Sequence, residues 1–205
     1  MRPRGIVLRL SVSHFCIDAY ASMPGALIPF LYVAHDLSFT KAGILAGVLL
    51  LSAALLQPLY GYLSDRWHSR VFTALGPAVA GVFICSLGLT SSYTLMLLFV
   101  FAGGIGIAAF HPQGTAVVSR SSKRNPAFQL SFFITFGMLG YAAGPMAMGS
   151  LVVFAGLEWS ILAAIPGVVV TLYLLTSGPL PVVEEMVPQP REVFRSLRAH
   201  SRPLL

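Results

Sequence analysis

His14 and Asp18 stand four residues apart inside the first apolar stretch of the chain. On a helix that spacing puts both side chains on one face. A carboxylate in hydrocarbon is costly unless it is paired, protonated or wet, and chains that carry one usually aim it at a bundle interior or a cavity. The chemistry such a pair can do is to take up and release a proton, with Asp18 as the desolvated acid and His14 sharing or exchanging its proton. A structural reading stands beside the functional one: an interhelical hydrogen bond near the membrane surface, with His14 shallow in the span.

The second candidate is Phe110-His111-Pro112-Gln113-Gly114. Pro112 withholds its backbone donor and frees a carbonyl one turn earlier, near residue 108. Gly114 permits close approach of another helix or a ligand. His111 and Gln113 place polar groups beside that irregularity, and irregular helices at substrate depth are a recurring transporter device. A gate and a helix-end motif are equally open readings of this segment.

Other chemistries find little support. No close cluster with metal-ligand spacing is visible, so no metal site is expected. The glycines form neither a phosphate loop nor a dinucleotide fingerprint. Ser13 and Ser131 are not arranged with a histidine in a nucleophile motif, and Cys16 and Cys85 read as small hydrophobes. The expectation is a protein without cofactor that is not an enzyme.

The elements that must hold these residues follow from composition. Of the 205 residues 56% are hydrophobic and only 10% charged, and the mean hydropathy is +0.80. Soluble domains carry roughly 25% charged residues, so an ordinary water-soluble fold is excluded. Two cysteines in apolar surroundings do not make a disulfide framework. Six apolar stretches can be drawn, over 8–33, 43–57, 71–89, 95–118, 128–154 and 159–180. Each reaches the roughly 20 residues a crossing takes, or nearly so. Backbone groups in lipid must be satisfied within the protein, and these runs lack the alternation of a barrel, which leaves helices. The predicted fold is an all-α, six-helix transmembrane bundle over residues 1–180, followed by a basic tail over 181–205.

Charge gives the orientation. Arg2, Arg4, Arg9, Arg66, Arg70, Arg120, Lys123, Arg124, Arg191, Arg195, Arg198 and Arg202 all fall on one side, and Lys41 alone on the other. The positive-inside rule then places both termini in the cytoplasm, with the chain multi-pass in the cytoplasmic membrane. The net charge of +6 is a topology signal rather than a nucleic-acid footprint. The start of the chain imitates a signal peptide, with Ala19-Tyr20-Ala21 at the cleavage position, but His14 and Asp18 interrupt its apolar region. An uncleaved first span is the preferred reading.

Glycines recur in the spans. Gly137, Gly140 and Gly144 accompany Pro145 in the fifth, and Gly140 and Gly144 make a small-xxx-small pair. Close packing explains them, and so would a bundle that must rock. Gln57-Pro58 marks a polar, kinked point late in the second span. Gly61 to Arg70, with Asp65 and Arg66, has the look of a fixed turn docked on neighbouring helix ends. In the tail, Val193, Phe194 and Leu197 set an apolar stripe among arginines, which suits either a segment lying on an anionic leaflet or a plain linker.

The segment Gly61, Asp65, Arg66 and Arg70 resembles the signature between the second and third helices of the major facilitator superfamily. There a glycine, three residues, an aspartate, a basic residue and one more residue precede a glycine and two basic residues. His68 replaces that glycine here, and Ser69 the first closing basic residue. Gly137, Gly140, Gly144 and Pro145 look like the glycine-proline signature of its antiporter branch. His14-Phe15 with Asp18, Gln57-Pro58, Phe110 to Gly114 and Gly144-Pro145 together resemble the fosmidomycin resistance family. The resemblance implies a twelve-helix exporter that exchanges a small drug for protons by alternating access, of which these residues form the first six-helix half. It implies Asp18, His14, His111 and Gln113 as proton or substrate groups. It implies Gly61, Asp65, Arg66, Arg70, Pro112, Gly114, Gly140, Gly144 and Pro145 as gating or conformational residues. The implied partners are a small molecule, protons, the lipid bilayer, and a second six-helix half or a second copy; nucleic acid is not among them. The superfamily's sugar and metabolite porters offer an alternative function, and a truncated, non-transporting assembly partner another. Fosmidomycin-like substrates are anionic, and charged His111 is the internal group in this half that could receive one.

Overall fold

A computed structural model describes residues 3–67, 71–121 and 125–177. Seven α-helices follow in order: α1 (Pro3–Ala34), α2 (Phe39–Leu55), α3 (Gln57–Trp67), α4 (Val71–Cys85), α5 (Tyr93–Arg120), α6 (Pro126–Ala155) and α7 (Ile165–Thr176). Short 3-10 segments, Ser86–Leu89 and Leu157–Ala164, extend α4 and precede α7. Among the described residues these make six apolar crossings, because α2 and α3 form one span, Phe39–Ser64. The break falls at Leu56, where Pro58 has no N–H to return to the helix. The fold is thus the six-helix membrane bundle that composition and hydropathy predict.

Two boundaries differ from expectation. Gly61 to Trp67 is helical rather than a docked turn. The apolar crossing ends at Ser64, so the charges that looked like a loop ride on the emerging end of the helix. Arg66 there reaches back one turn to the Tyr62 hydroxyl at 3.1 Å. The sixth crossing opens as 3-10 helix and becomes α-helical at Ile165, with Pro166 in its first turn, where a missing donor costs nothing. The tail over 181–205 and Arg70 lie outside the described residues.

The bundle closes on itself at both ends. Arg9 donates to the Ser177 carbonyl at 2.7 Å and lies over the Tyr173 ring. The arginine thereby satisfies an orphan carbonyl at the C-terminus of α7. At the far end the Tyr93 hydroxyl donates to the Lys41 carbonyl at 3.0 Å. The start of α1 and the end of α7 share one face, as an even number of crossings requires. α6 ends at Gly156, whose φ of 109° is a conformation that costs a side-chain-bearing residue dearly.

Inside, helices meet where side chains are absent. A Cβ on Gly76 would stand 2.9 Å from the Gly106 carbonyl, and one on Gly106 2.5 Å from Ala80 N, which brings α4 and α5 together backbone to backbone. Tyr20, 1% exposed, is the pin between α1 and α7. Its hydroxyl accepts the Gly167 N–H at 2.7 Å and donates to the Ala163 carbonyl at 3.0 Å. The Gly167 donor lies in the first turn of α7, where no intrahelical partner exists. Removing the hydroxyl strands that donor in an apolar interior. Tyr20→Phe is therefore expected to destabilise the purified protein by about 1–3 kcal/mol. Thermal unfolding in detergent micelles reads it, and an unchanged midpoint would contradict the pin.

Candidate functional site

Asp18 lies at the midpoint of α1, and His14 one turn before it. The His14 Nε2 stands 3.2 Å from Asp18 Oδ2. From α5, His111 Nε2 stands 3.1 Å from Asp18 Oδ1. One carboxylate is thus clamped by two imidazoles from two helices. The side chains are 8%, 18% and 24% exposed for His14, Asp18 and His111, so the group is interior but open on the His111 side. His14 and Asp18 both fall inside the apolar crossing Gly5–Ala34.

The surroundings fix both rings. His14 Nδ1 is 2.9 Å from the Phe133 carbonyl of α6, and its ring stacks on Phe133 with centroids 4.1 Å apart. His111 Nδ1 is 2.9 Å from the Ile107 carbonyl in its own helix. The two imidazoles meet edge to face at 5.2 Å. Space for the cluster comes from Gly137 on α6: a Cβ there would stand 2.5 Å from His14 Cε1 and would collide with the Asp18 carboxylate. Three helices therefore build the site, and α6 contributes the Phe133 carbonyl and ring and the bare backbone at Gly137.

The hydrogen positions follow from the partners. A carbonyl oxygen only accepts, so each Nδ1 carries a hydrogen. Each Nε2 then presents a lone pair to a carboxylate oxygen unless a proton lies between them. Two contacts need two shared protons. With both in place the cluster carries one net positive charge. With one missing, a lone pair faces a lone pair. The arrangement can hold and exchange protons, and its geometry depends on how many it holds. Among the described residues, the ion-pair partners of Asp18 are these two histidines.

The other residues singled out by sequence lie apart from this centre. Gln113 is half-buried on α5, two positions past His111 and so turned to another face. Pro112 faces Gly61, where a Cβ would come within 3.6 Å of the proline Cβ, so α3 meets α5 at this point. Gly114 lies under the Phe110 and Phe133 rings, with 3.2–3.4 Å to a Cβ. Gly140 and Gly144 abut the α1 backbone at Phe15 and Ala19. Pro145 is half-buried within α6, and Arg66 is exposed. The side chain of Asp65 lies outside the described residues. Sequence reasoning missed Phe133, whose carbonyl and ring hold His14, and Tyr20. It read Gly137 as a packing or rocking residue and did not connect it with the cluster. It saw no metal-ligand spacing, yet the fold brings His14, Asp18 and His111 into one group whose ligand atoms all lie within 4.8 Å of one another. The reason is the separation of 93 residues between Asp18 and His111.

Comparison with known proteins agrees with this architecture. The profile described as Major Facilitator Superfamily matches residues 10–204. The fosmidomycin resistance protein of Escherichia coli K12 is 28% identical over 81% of this chain and 42% of its own length. An uncharacterized MFS-type transporter of Bacillus subtilis, YfnC, is 26% identical over 82% of this chain and 42% of its own. The phosphoglycerate transporter protein of Salmonella typhimurium is 23% identical over 85% of this chain and 41% of its own. The chain thus spans less than half the length of these relatives, and no solved structure matches it. The profile match covers nearly all of the bundle and marks a transporter rather than a catalytic enzyme, and on that ground the chain belongs to the Major Facilitator Superfamily.

Proposed function

We propose that this chain is the first six-helix half of a proton-coupled exporter of the fosmidomycin resistance family, which moves a small drug outward across the cytoplasmic membrane. The single observation that carries the proton part is the Asp18 carboxylate held between His14 and His111 at the middle of the bundle. A group whose contacts need two protons reports its protonation state to α1, α5 and α6 together. Protonation from outside favours one orientation of the cavity and release to the cytoplasm the other. His14 and His111 assist Asp18, while Gln113 contributes to the substrate surface. Pro112, Gly114, Gly140, Gly144 and Pro145 shape the moving helices. Gly61, Asp65, Arg66 and Arg70 act as the cytoplasmic latch, and both termini are cytoplasmic. A complete cavity needs a second six-helix half, or a second copy, across the open side of the cluster.

The resemblance to the fosmidomycin resistance protein supports a drug as cargo. The similarity to a phosphoglycerate transporter protein favours a second reading, a metabolite porter on the same scaffold. Transport in proteoliposomes under an imposed pH gradient tests both. The chain is reconstituted alone and together with a second half, and offered fosmidomycin and a three-carbon phosphate in parallel. Gradient-dependent movement of fosmidomycin supports drug export; movement of the phosphate alone supports the porter. A chain that moves neither with any partner is not a transporter half.

A further inference from the structure

The histidine-carboxylate cluster has the construction of a metal site. Both Nδ1–H groups are tied to backbone carbonyls at 2.9 Å, Phe133 for His14 and Ile107 for His111. This outer hydrogen bond is what orients a ligating imidazole and leaves Nε2 as the donor atom. Both Nε2 atoms then converge on one carboxylate, at 3.2 and 3.1 Å from its two oxygens. Metal bonds of about 2.0–2.1 Å set neighbouring donor atoms about 2.9–3.4 Å apart, from octahedral to tetrahedral angles. The observed nitrogen-oxygen separations fall inside that range. The rings meet nearly edge to face, with an interplanar angle of 84°, so neither blocks the other's lone pair. All three donor atoms already lie within 4.8 Å of one another.

Charge points the same way. The contacts are completed by two protons, and one divalent cation brings the same charge to the same lone pairs. A cation therefore replaces the protons without adding net charge to an interior that tolerates little of it. The His111 side is the more exposed, at 24%, and leaves room for water or another ligand on the cation. Gly137 keeps α6 clear of the donor atoms.

We propose that His14, Asp18 and His111 form a binding site for a divalent first-row transition cation of the zinc class, taken up in place of the shared protons. Two imidazoles with one carboxylate suit zinc, cobalt or iron(II), whereas magnesium and calcium favour all-oxygen sets. The inference goes beyond the transport reading and does not depend on it, because binding is read without transport.

The test is direct titration of the tag-free 205-residue chain in detergent with Zn2+ by calorimetry and with Co2+ by visible absorption. One ion per chain is expected, with a Co2+ spectrum of low coordination symmetry. His111→Ala and Asp18→Asn are each expected to weaken binding at least about tenfold, in line with the loss seen when a metal site loses a supporting group. Asp18→Asn keeps the size of the side chain, so it reports on ligation even where an alanine variant fails to fold. His35→Gln, outside the cluster, is expected to leave binding unchanged. Absence of stoichiometric uptake by the unmodified chain overturns the proposal, as does equal binding by Asp18→Asn. Transport that fails while Zn2+ binds removes the exporter reading and leaves the metal site standing.

Discussion

Asp18→Asn is expected to abolish gradient-driven transport in the assembled protein while leaving it folded. The asparagine matches the aspartate in size and keeps both contacts alive. Its amide donates to one Nε2 lone pair, and its carbonyl accepts from the other imidazole when that ring is protonated. The variant therefore imitates a cluster that already holds its proton on the carboxyl group, and cannot give it up. Stability should change little or rise slightly, because a buried carboxylate has been exchanged for a neutral group. Coupling is another matter. One proton crossing a gradient of one pH unit can sustain at most about a tenfold substrate ratio, or about 1.4 kcal/mol. The variant is expected to sustain none, yet to exchange labelled for unlabelled substrate at equilibrium, since exchange needs no net proton movement. Measured side by side in proteoliposomes, gradient-driven accumulation equal to that of the unmodified protein would remove Asp18 from the coupling role.

The prediction has this sharpness because the cluster is over-determined. His14 is held by α6 through the Phe133 carbonyl and ring, and His111 by its own helix through Ile107. Turning either ring to offer its other nitrogen breaks the contact between its Nδ1 and a backbone carbonyl. His14 and Asp18 share α1 while His111 comes from α5, so a change in the number of shared protons acts on the contact between α1 and α5. In the proposed exporter this contact would link a proton to a helix displacement.

Most of the architecture was legible in the chain because hydropathy is a strong, local signal. The six crossings fall where apolar runs stand, and Asp18 announced itself as a carboxylate in a stretch that lipid would otherwise cover. His14 followed from the one-turn spacing. What periodicity could not reveal was pairing between distant helices. His111 and Asp18 are 93 residues apart, so each was visible as a polar intrusion while their meeting was not. Phe133 contributes a backbone carbonyl, which every residue owns, and one aromatic ring among many, so no sequence feature singles it out. Tyr20 lay hidden as one aromatic among many. The Gly61–Arg70 segment misled for a different reason. Charge and glycine suggested a loop, whereas a helix that outruns the bilayer carries charges equally well.

The glycines of α6 divide into two kinds that sequence cannot separate, and that division carries the largest stability effect expected here. A Cβ at Gly140 would collide with the Phe15 carbonyl, carbon and Cα, and one at Gly144 with the Ala19 carbonyl. Gly149, in the same helix, has nothing within 4 Å of such an atom. The obstruction at Gly140 is backbone, which cannot swing aside as a side-chain tip does, so the only relief is to part α1 from α6. Overpacking of this kind costs typically about 1–3 kcal/mol, and the rigid obstacle places Gly140→Ala at or above the upper end. Gly149→Ala replaces a poor helix former by the best one in open surroundings, and should be neutral or stabilising by up to about 1 kcal/mol. Because α1 carries both His14 and Asp18 while α6 carries the Phe133 carbonyl, parting these helices also pulls the cluster open. Gly140→Ala is therefore expected to lower the unfolding midpoint in micelles and to lose gradient-driven transport together, whereas Gly149→Ala should keep both. Equal stability of the two variants would mean that α1 and α6 are not seated backbone to backbone, and the clamp on Asp18 would lose its footing with them.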